Sequence, residues 1–549
     1  MRKQRGMKGV SILLALSMAV ALLCAPLGSL AEERPTLTVF DFTEEVDGHL
    51  LNNAPTIKAI EDKLGINLEI EVVGGMSTDD KIATMIAGGD YADVMFRVDE
   101  RMIEAGALME MDELLEKEGP NVLAAWGDSL NKLRYAGDGK VYWIGSPKNR
   151  PEELTDAGAC LLVQYDVLEK LEYPTLKTLD DVYAAITKYL TISPDINGAP
   201  YIPWGVWADS WGYNQTVNNP ALWVNGFTDD SDAYVNQETY GVTYFNTTDY
   251  FKTYLSFLNK LYNDKLLSEN AFITKYDEFN AQVASGRVLA MIYNASLLSD
   301  AETALRAAGM PERCYARFPI VLDPGIQDRS NVYCESYDNG VGISVDCKNP
   351  ELAMKFIDFI ASNEGNVLLN WGIEGVHYDV VDGKRVWKEE VAQQYATNPN
   401  YRYEQGISCL GWWPLYYGAM KLDDGDYATP VNKEDFYASA DAETKKVLDA
   451  YGLTCWGEGF DTTGTPTPYG FAWTIAIETG SDAELANSKA NALRHTVVPT
   501  IVMSKTQEEF DRNFADFVDR LYNECKINLW EDAMSQAIIA RMEIWGADK

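Results

Sequence analysis

The sequence predicts an α/β protein whose mostly parallel sheets are flanked by helices. Three observations lead there. From Thr36 onward, strand-like and helix-like segments alternate with little chain between them, and a β-α-β-α-β order builds a parallel sheet with helices on its faces. Removing a 31-residue leader from 549 residues leaves 518, enough on roughly 150 residues per domain for two large lobes or three to four domains. Far downstream, a short strand over Val341 to Val345 and a strongly patterned helix from Asn349 continue the same alternation.

The leader comes first. Arg2, Lys3, Arg5 and Lys8 precede an apolar run from Val10 to Leu23, and Ser29-Leu30-Ala31 supplies the small residues a signal peptidase cuts after, so residues 1–31 read as a secretory signal peptide. The run is shorter than the roughly 20 residues of a spanning helix. Cys24 offers a second fate, lipid anchoring to the outer membrane face, although Ala21-Leu22-Leu23 is a poor context for it.

TLTVFDF, from Thr36, reads as a strand, and Pro55 opens a helix carrying Ile57, Ile60 and Leu64 on one face and stopped by Gly65. Ile66 to Val72 alternates at period two; Ser77 caps a second helix through Met85 and Ile86; Asp93 to Phe96 is a further strand. Ligands of such sheets sit at the carboxyl ends of strands, which here means the turns after Phe42 and Phe96. Leu161 to Val163 is another strand, leading through a short helix and Pro174 to a helix that begins near Thr178. Gly286 to Met291 is a short strand. Asn349 caps and Pro350 opens a helix with Leu352, Phe356, Phe359 and Ile360 on one face, followed by the glycine-punctuated stretch NWGIEGVHYDVVDGK from Asn370 to Lys384. A long helical pattern from Gln507 to Trp545 closes the chain.

Composition narrows the chemistry. Lys+Arg 46 against Asp+Glu 83 gives a net charge of −37, which repels nucleic acid and anionic lipid. Seven of the eight cysteines lie beyond the leader, an odd and scattered set that argues against a disulfide framework and for buried free thiols. The three histidines, His49, His377 and His495, are too far apart to be a ligand pair, and no nucleophile elbow, phosphate loop or dinucleotide fingerprint is present. A glycosidase would need a carboxylate pair about 5 to 9.5 Å apart, and the sequence gives no reason to select one.

The aromatic residues are more informative. YIPWGVWADSWGYNQ places Trp204, Trp207, Trp211 and Tyr213 among Gly, Asp and Asn; GWWPLYYG places Trp412, Trp413, Tyr416 and Tyr417 between glycines. Rings in loops with interleaved amides and carboxylates suit sugars, whose C–H faces meet rings and whose hydroxyls meet polar groups. Packing of these rings onto the core is the alternative, expected for about half of them.

The chain resembles the extracellular solute-binding proteins of ATP-driven importers, in particular the carbohydrate-binding group that includes maltodextrin-binding proteins and its large Gram-positive lipoprotein-like branch. The resemblance is carried by Met85-Ile86-Ala87-Gly88-Gly89-Asp90-Tyr91-Ala92-Asp93-Val94, by Gly139-Lys140-Val141-Tyr142, by Gln164-Tyr165-Asp166 with Pro174 and Thr178, by Gly286-Arg287-Val288-Leu289-Ala290-Met291 and by the Asn349 helix, in that order. It implies a two-lobe, type II periplasmic-binding-protein-like fold with residues 32–163 plus about 340–370 in one lobe and 164–339 plus about 371–549 in the other. It further implies a non-enzymatic monomer, secreted to the extracellular face of the cell membrane, that binds an oligosaccharide in the cleft and delivers it to transmembrane permease subunits, with no cofactor and no metal. The residues expected at ligand are Asp41, Phe42, Arg97, Asp99, Trp207, Trp211, Tyr213, Asn294, Asp338, Trp371, His377, Trp412, Trp413 and Tyr416. Gly372 and Gly375 are expected either to form a hinge that brings Trp371, Glu374 and His377 to the cleft, or to belong to a packed connection remote from ligand. A binding protein for a peptide and a secreted glycoside hydrolase are the competing functions.

Overall fold

The computed structural model describes residues 34–42, 48–73, 78–146, 153–209, 211–332, 339–398, 400–409, 419–462 and 467–546. Eight strands form two four-stranded sheets. β1 (Thr36–Asp41), β2 (Asn67–Val72), β3 (Val94–Val98) and β8 (Gly340–Ile343) make the first, in the order β8-β3-β1-β2. β4 (Ala159–Gln164), β5 (Ile202–Trp204), β6 (Val288–Asn294) and β7 (Tyr315–Phe318) make the second, in the order β7-β4-β6-β5. The burial patterns follow position. Edge strand β2 alternates buried Leu68 and Ile70 with exposed Asn67 and Glu69, whereas interior β3 buries Val94, Met95 and Phe96 in succession.

Both sheets are mixed, and for one reason. β1 runs parallel to β2 and β3, but β8 is antiparallel to β3; β5 and β6 are parallel, but β4 is antiparallel to β6 and β7. β4 and β8 are the strands that follow the two passages of chain between sheets, so each enters where its neighbours end and runs back. The expectation of mostly parallel sheets therefore holds in the first lobe only, because in the second β4 occupies an interior position.

The helices form where the sequence signals them. Pro55–Leu64 begins with Pro at its first turn, buries Ile57 and Ile60, and ends at Gly65 with φ 67°. Pro350–Ala361 is capped by the Asn349 side chain, which accepts the Leu352 N–H, and it buries Phe356, Ile357 and Ile360. Its Asp358 carboxylate accepts the backbone N–H groups of Asn121 (2.7 Å) and Val122 (3.0 Å), satisfying orphan donors at the start of helix Pro120–Trp126. The C-terminal pattern divides into Gln507–Arg520 and Asn528–Trp545, because Lys526 takes a left-handed φ of 61°.

Two hydrophobic cores result. The first gathers Leu37 through Ile144, then Val341 through Cys409; the second gathers Ala157 through Ile320, then Val447 through Met542. The lobe boundaries thus differ from the sequence expectation. All of β4 belongs to the second sheet, so the first passage ends before Ala159, and the later part of the first lobe extends beyond 370 to Cys409. Trp545, after Met542 in the second core, packs in the first core again. Cys160, Cys314, Cys347, Cys409, Cys455 and Cys525 are free and buried.

Candidate functional site

Strand direction defines a cleft. β1, β2 and β3 end on the side where β8 begins, with Gly340 opposite Val98, and β6 ends with Asn294 opposite Ala159, the first residue of β4. The passages attach at these same ends. Ile144 bridges Val341 in the first lobe, and in the second Asn331 accepts the Gly158 N–H (2.9 Å) and donates to the Ala159 carbonyl (2.7 Å). Carboxyl ends of strands are where open α/β sheets bind ligands. Here each set lies at the end of its sheet from which the chain passes to or from the other lobe.

In the first lobe, Arg97 stands out. It holds φ at 59°, rare for a bulky residue, and sits where the β3–β8 register shifts between Gly340 and Val341. A bulge redirects a side chain, and left-handed geometry of this kind costs of order 1–3 kcal/mol wherever the surroundings enforce it. Arg97 is half-buried. Asp99 is engaged locally: its carboxylate accepts the Arg101 N–H (3.0 Å) and the Arg101 guanidinium, capping helix Glu100–Glu104. Asp41 and Phe42 are both fully buried, Phe42 lying 4.6 Å from the Phe40 ring, so the Phe42 face expected at ligand is committed to the core.

In the second lobe the aromatic loop divides. Trp207 is buried against Tyr276 (5.1 Å) and Phe279 (6.3 Å), and Gly212 passes so close that a Cβ there would stand 2.1 Å from its ring. Tyr213 is buried as well, under the Arg494 guanidinium at 4.5 Å. These two are packing residues rather than open platforms. Trp211 stays 47% exposed, held edge-on by Trp207 at 4.7 Å. Behind it, burial and the Arg494 charge lower the pKa of His495, whose ring lies 5.0 Å from Tyr213. Asn294 is half-buried at the end of β6 and accepts the Ser296 N–H (3.1 Å), which fixes its amide at the cleft edge.

Trp371 and His377 are not cleft residues. Trp371 is buried and donates its indole N–H to the Tyr427 carbonyl (2.9 Å). His377 Nδ1 accepts the Ile373 N–H (2.8 Å), so Nε2 carries the proton and donates to Gln405 Oε1 (3.0 Å). Thr56, on the first lobe's Pro55–Leu64 helix, binds the Gln405 carbonyl (3.0 Å) and the Gly406 carbonyl (2.8 Å). The stretch from Asn370 is thus a locked turn leading into a hairpin, Tyr378–Val381 with Lys384–Trp387, and the packed alternative describes it. Asp338, Trp412, Trp413 and Tyr416 lie outside the described residues.

A cavity of about 760 Å³ opens in the second lobe, lined among others by Phe227, Asp230, Tyr234, Asn236, Gln327 and Arg329. Asp230 accepts the Ala472 N–H (2.8 Å) and the Tyr469 hydroxyl (3.1 Å); burial pushes its carboxyl up to about 7, and that of Asp229 to about 6. Sequence reasoning missed these residues. Their signal was the interleaving of rings, amides and acids in VNGFTDDSDAYVNQE, residues 224–238, which lacks the tryptophans that drew attention to 204–213.

A family model described as bacterial extracellular solute-binding protein matches residues 53–367. Lipoprotein LipO of Bacillus subtilis (strain 168) is 22% identical over 344 residues, 60% of this chain and 65% of LipO, so the match spans slightly less than two thirds of that relative. A carbohydrate ABC transporter substrate-binding protein of Streptococcus pneumoniae serotype 4 is 25% identical over 369 residues, 64% of this chain and 67% of the relative. Among solved structures, an HMO-binding ABC-transporter-associated solute-binding protein from Bifidobacterium longum infantis superposes with a TM-score of 0.65 at 17% identity, covering 92% of this chain and 99% of its own. The fold is that of the two-lobe solute-binding proteins.

Proposed function

The chain belongs to the bacterial extracellular solute-binding protein family, and from that premise we propose that it is the extracellular substrate-binding subunit of an ATP-driven importer, capturing an oligosaccharide between its lobes. The observation that supports the reading is that strand ends of both sheets lie where the chain passes between the lobes, with Arg97 in left-handed backbone at the end of β3 and Trp211 exposed in the loop after β5. A guanidinium presents five donors in a fixed fork, which suits ring oxygens and hydroxyls. An indole face removes the sugar's C–H surface from water at roughly 25 cal/mol per Å². Contacts made to both lobes only when they close bias a two-state equilibrium toward the closed form, and closure requires no covalent chemistry.

The test is a melting screen against glycans. A glycan at 100 times its dissociation constant adds about 2.7 kcal/mol of stability. Glycans that raise the melting temperature should be recovered intact, and small-angle scattering should give a smaller radius of gyration with them than without. Accumulation of new reducing ends at turnover would reject the binding role in favour of a hydrolase.

A further inference from the structure

We propose that the second-lobe cavity is a subsite for the end of an uncharged oligosaccharide, beyond the contacts assigned above to Trp211 and Arg97; the inference rests on the binding function just proposed and names the ligand class it selects. Its volume, about 760 Å³, lies in the range of small-ligand sites. One wall is a preformed aromatic surface: the Phe227 ring meets Tyr234 at 5.4 Å and Tyr250 at 4.8 Å, and Tyr234 meets Tyr250 at 5.6 Å. Phe227 and Tyr234 are each half-buried, so the cluster fixes both rings while leaving part of each open to the cavity. Rings locked by one another lose little conformational freedom when a sugar face settles on them.

Opposite lies the 326–329 segment, brought close by Gly226. That glycine has φ 76°, and a Cβ there would stand 2.7 Å from the Gln327 carbonyl oxygen. The same segment leads to Asn331, which binds the start of β4 at the cleft end of the sheet. A chain lying in the cleft therefore has its continuation at this cavity.

Charge selects the ligand. Glu238 and the buried Asp230, which is charged only above about pH 7, line the cavity against Arg329 as the one cation among the described lining residues. A uronate or other acidic sugar would be set beside the Glu238 carboxylate and, above about pH 7, that of Asp230, in a partly desolvated space where like charges repel more strongly than in water. Hydroxyls meet no such cost and find amides at Asn236, Gln237 and Gln327.

The experiment uses the full mature chain and titration calorimetry with short and long members of three neutral series, malto-, fructo- and manno-oligosaccharides, and with long members oxidised to a terminal uronate. For the series that binds, Tyr234→Ala should weaken the long member tenfold or more and leave the shortest unchanged, with Tyr234→Phe close to wild type. Terminal oxidation should weaken binding to wild type. Equal affinity of Tyr234→Ala and wild type for long members, or tighter binding of the oxidised ones, overturns the subsite. Equal loss for short and long members also overturns it, since the ring then serves the main cleft or the fold. If wild type binds no member of any series, the oligosaccharide function itself falls, and the subsite with it.

Discussion

Two segments that each place a tryptophan near a lobe boundary behave in opposite ways. The Trp371–Tyr378 turn has the glycines expected of a hinge, yet Trp371 is buried within it, and His377 holds Gln405, whose carbonyl accepts the hydroxyl of Thr56 on a first-lobe helix. Helix Asn528–Trp545 has a continuous helical pattern and no glycine before its end, yet it passes from one core to the other: Trp530, Met534, Ile538 and Met542 lie in the second core and Trp545 in the first. The Asn131 amide donates to the Trp545 carbonyl (2.6 Å), and Lys132 and Arg541 lie over its ring at 5.5 and 5.3 Å. Positive-φ glycines report local backbone geometry, whereas attachment between lobes is decided by where the apolar anchors land.

The largest expected effect tests the first half of that contrast. Trp371→Ala should lower stability by about 3–5 kcal/mol, as truncation of a fully buried aromatic does, while glycan affinity measured below the melting transition stays at the wild-type value. Denaturant unfolding and calorimetry read the two quantities. Lost affinity with unchanged stability would return the turn to the cleft.

A second effect concerns what the C-terminal helix holds. Arg541 donates to the carbonyls of Tyr469 and Phe471 and to Thr474 Oγ1 (2.7 Å), and Asp230 grips the same segment through Tyr469 and Ala472. Burial raises the Asp230 carboxyl from 3.8 to about 7. Between about pH 4 and 7 the folded chain keeps a proton that the unfolded chain releases, so this group's contribution is most favourable below pH 4, declines as pH rises, and is flat above about 7. At about 1.4 kcal/mol per pKa unit, the decline is on the order of a few kcal/mol. Asp230→Asn should therefore lose that slope, and the stability of wild type relative to the variant should fall between pH 4 and 7. Parallel pH curves for the two proteins would show that the buried carboxyl does not titrate in that range.

A third, smaller effect tests the other half. Trp545→Ala should cost about 2–3 kcal/mol, less than Trp371 because the ring keeps 8% exposure at the lobe boundary. It should also enlarge the radius of gyration of the unliganded protein. An unchanged scattering profile would mean that the helix joins the lobes without constraining them.

Much of the fold was legible because it is written in local signals. Pro55 with Gly65, Asn349 with Pro350, and the alternation in β2 each fix an element within a dozen residues. The lobe boundary was not, since nothing local distinguishes an antiparallel interior strand such as β4 from the parallel strands around it. The site was legible in part. Trp207 and Trp211 lie four residues apart in one loop, and only packing against Phe279 and Gly212 separates the buried ring from the exposed one. Arg97 was expected at ligand for its place after a strand, while the bulge that redirects it depends on β8, more than two hundred residues away.

The smallest effect decides between the two meanings of a glycine. Gly375 has φ 75°, and a Cβ there would meet nothing within 4 Å, so Gly375→Ala carries only the cost of left-handed backbone, roughly 1 kcal/mol. Gly372 differs, because at φ 89° its Cβ would stand 2.6 Å from His377 Nδ1, and substitution there would also disturb the ring that locks the turn. Gly375→Ala is therefore the cleaner probe. If the turn is a fixed element of the first lobe, the variant melts slightly earlier, binds the same glycans with the same affinity, and contracts by the same amount in scattering when ligand is added. A hinge would respond differently, since stiffening its backbone changes the balance of open and closed forms and hence affinity and contraction together. A changed contraction at unchanged glycan contacts would restore the hinge to Gly372 and Gly375 and leave the C-terminal helix as a secondary tether.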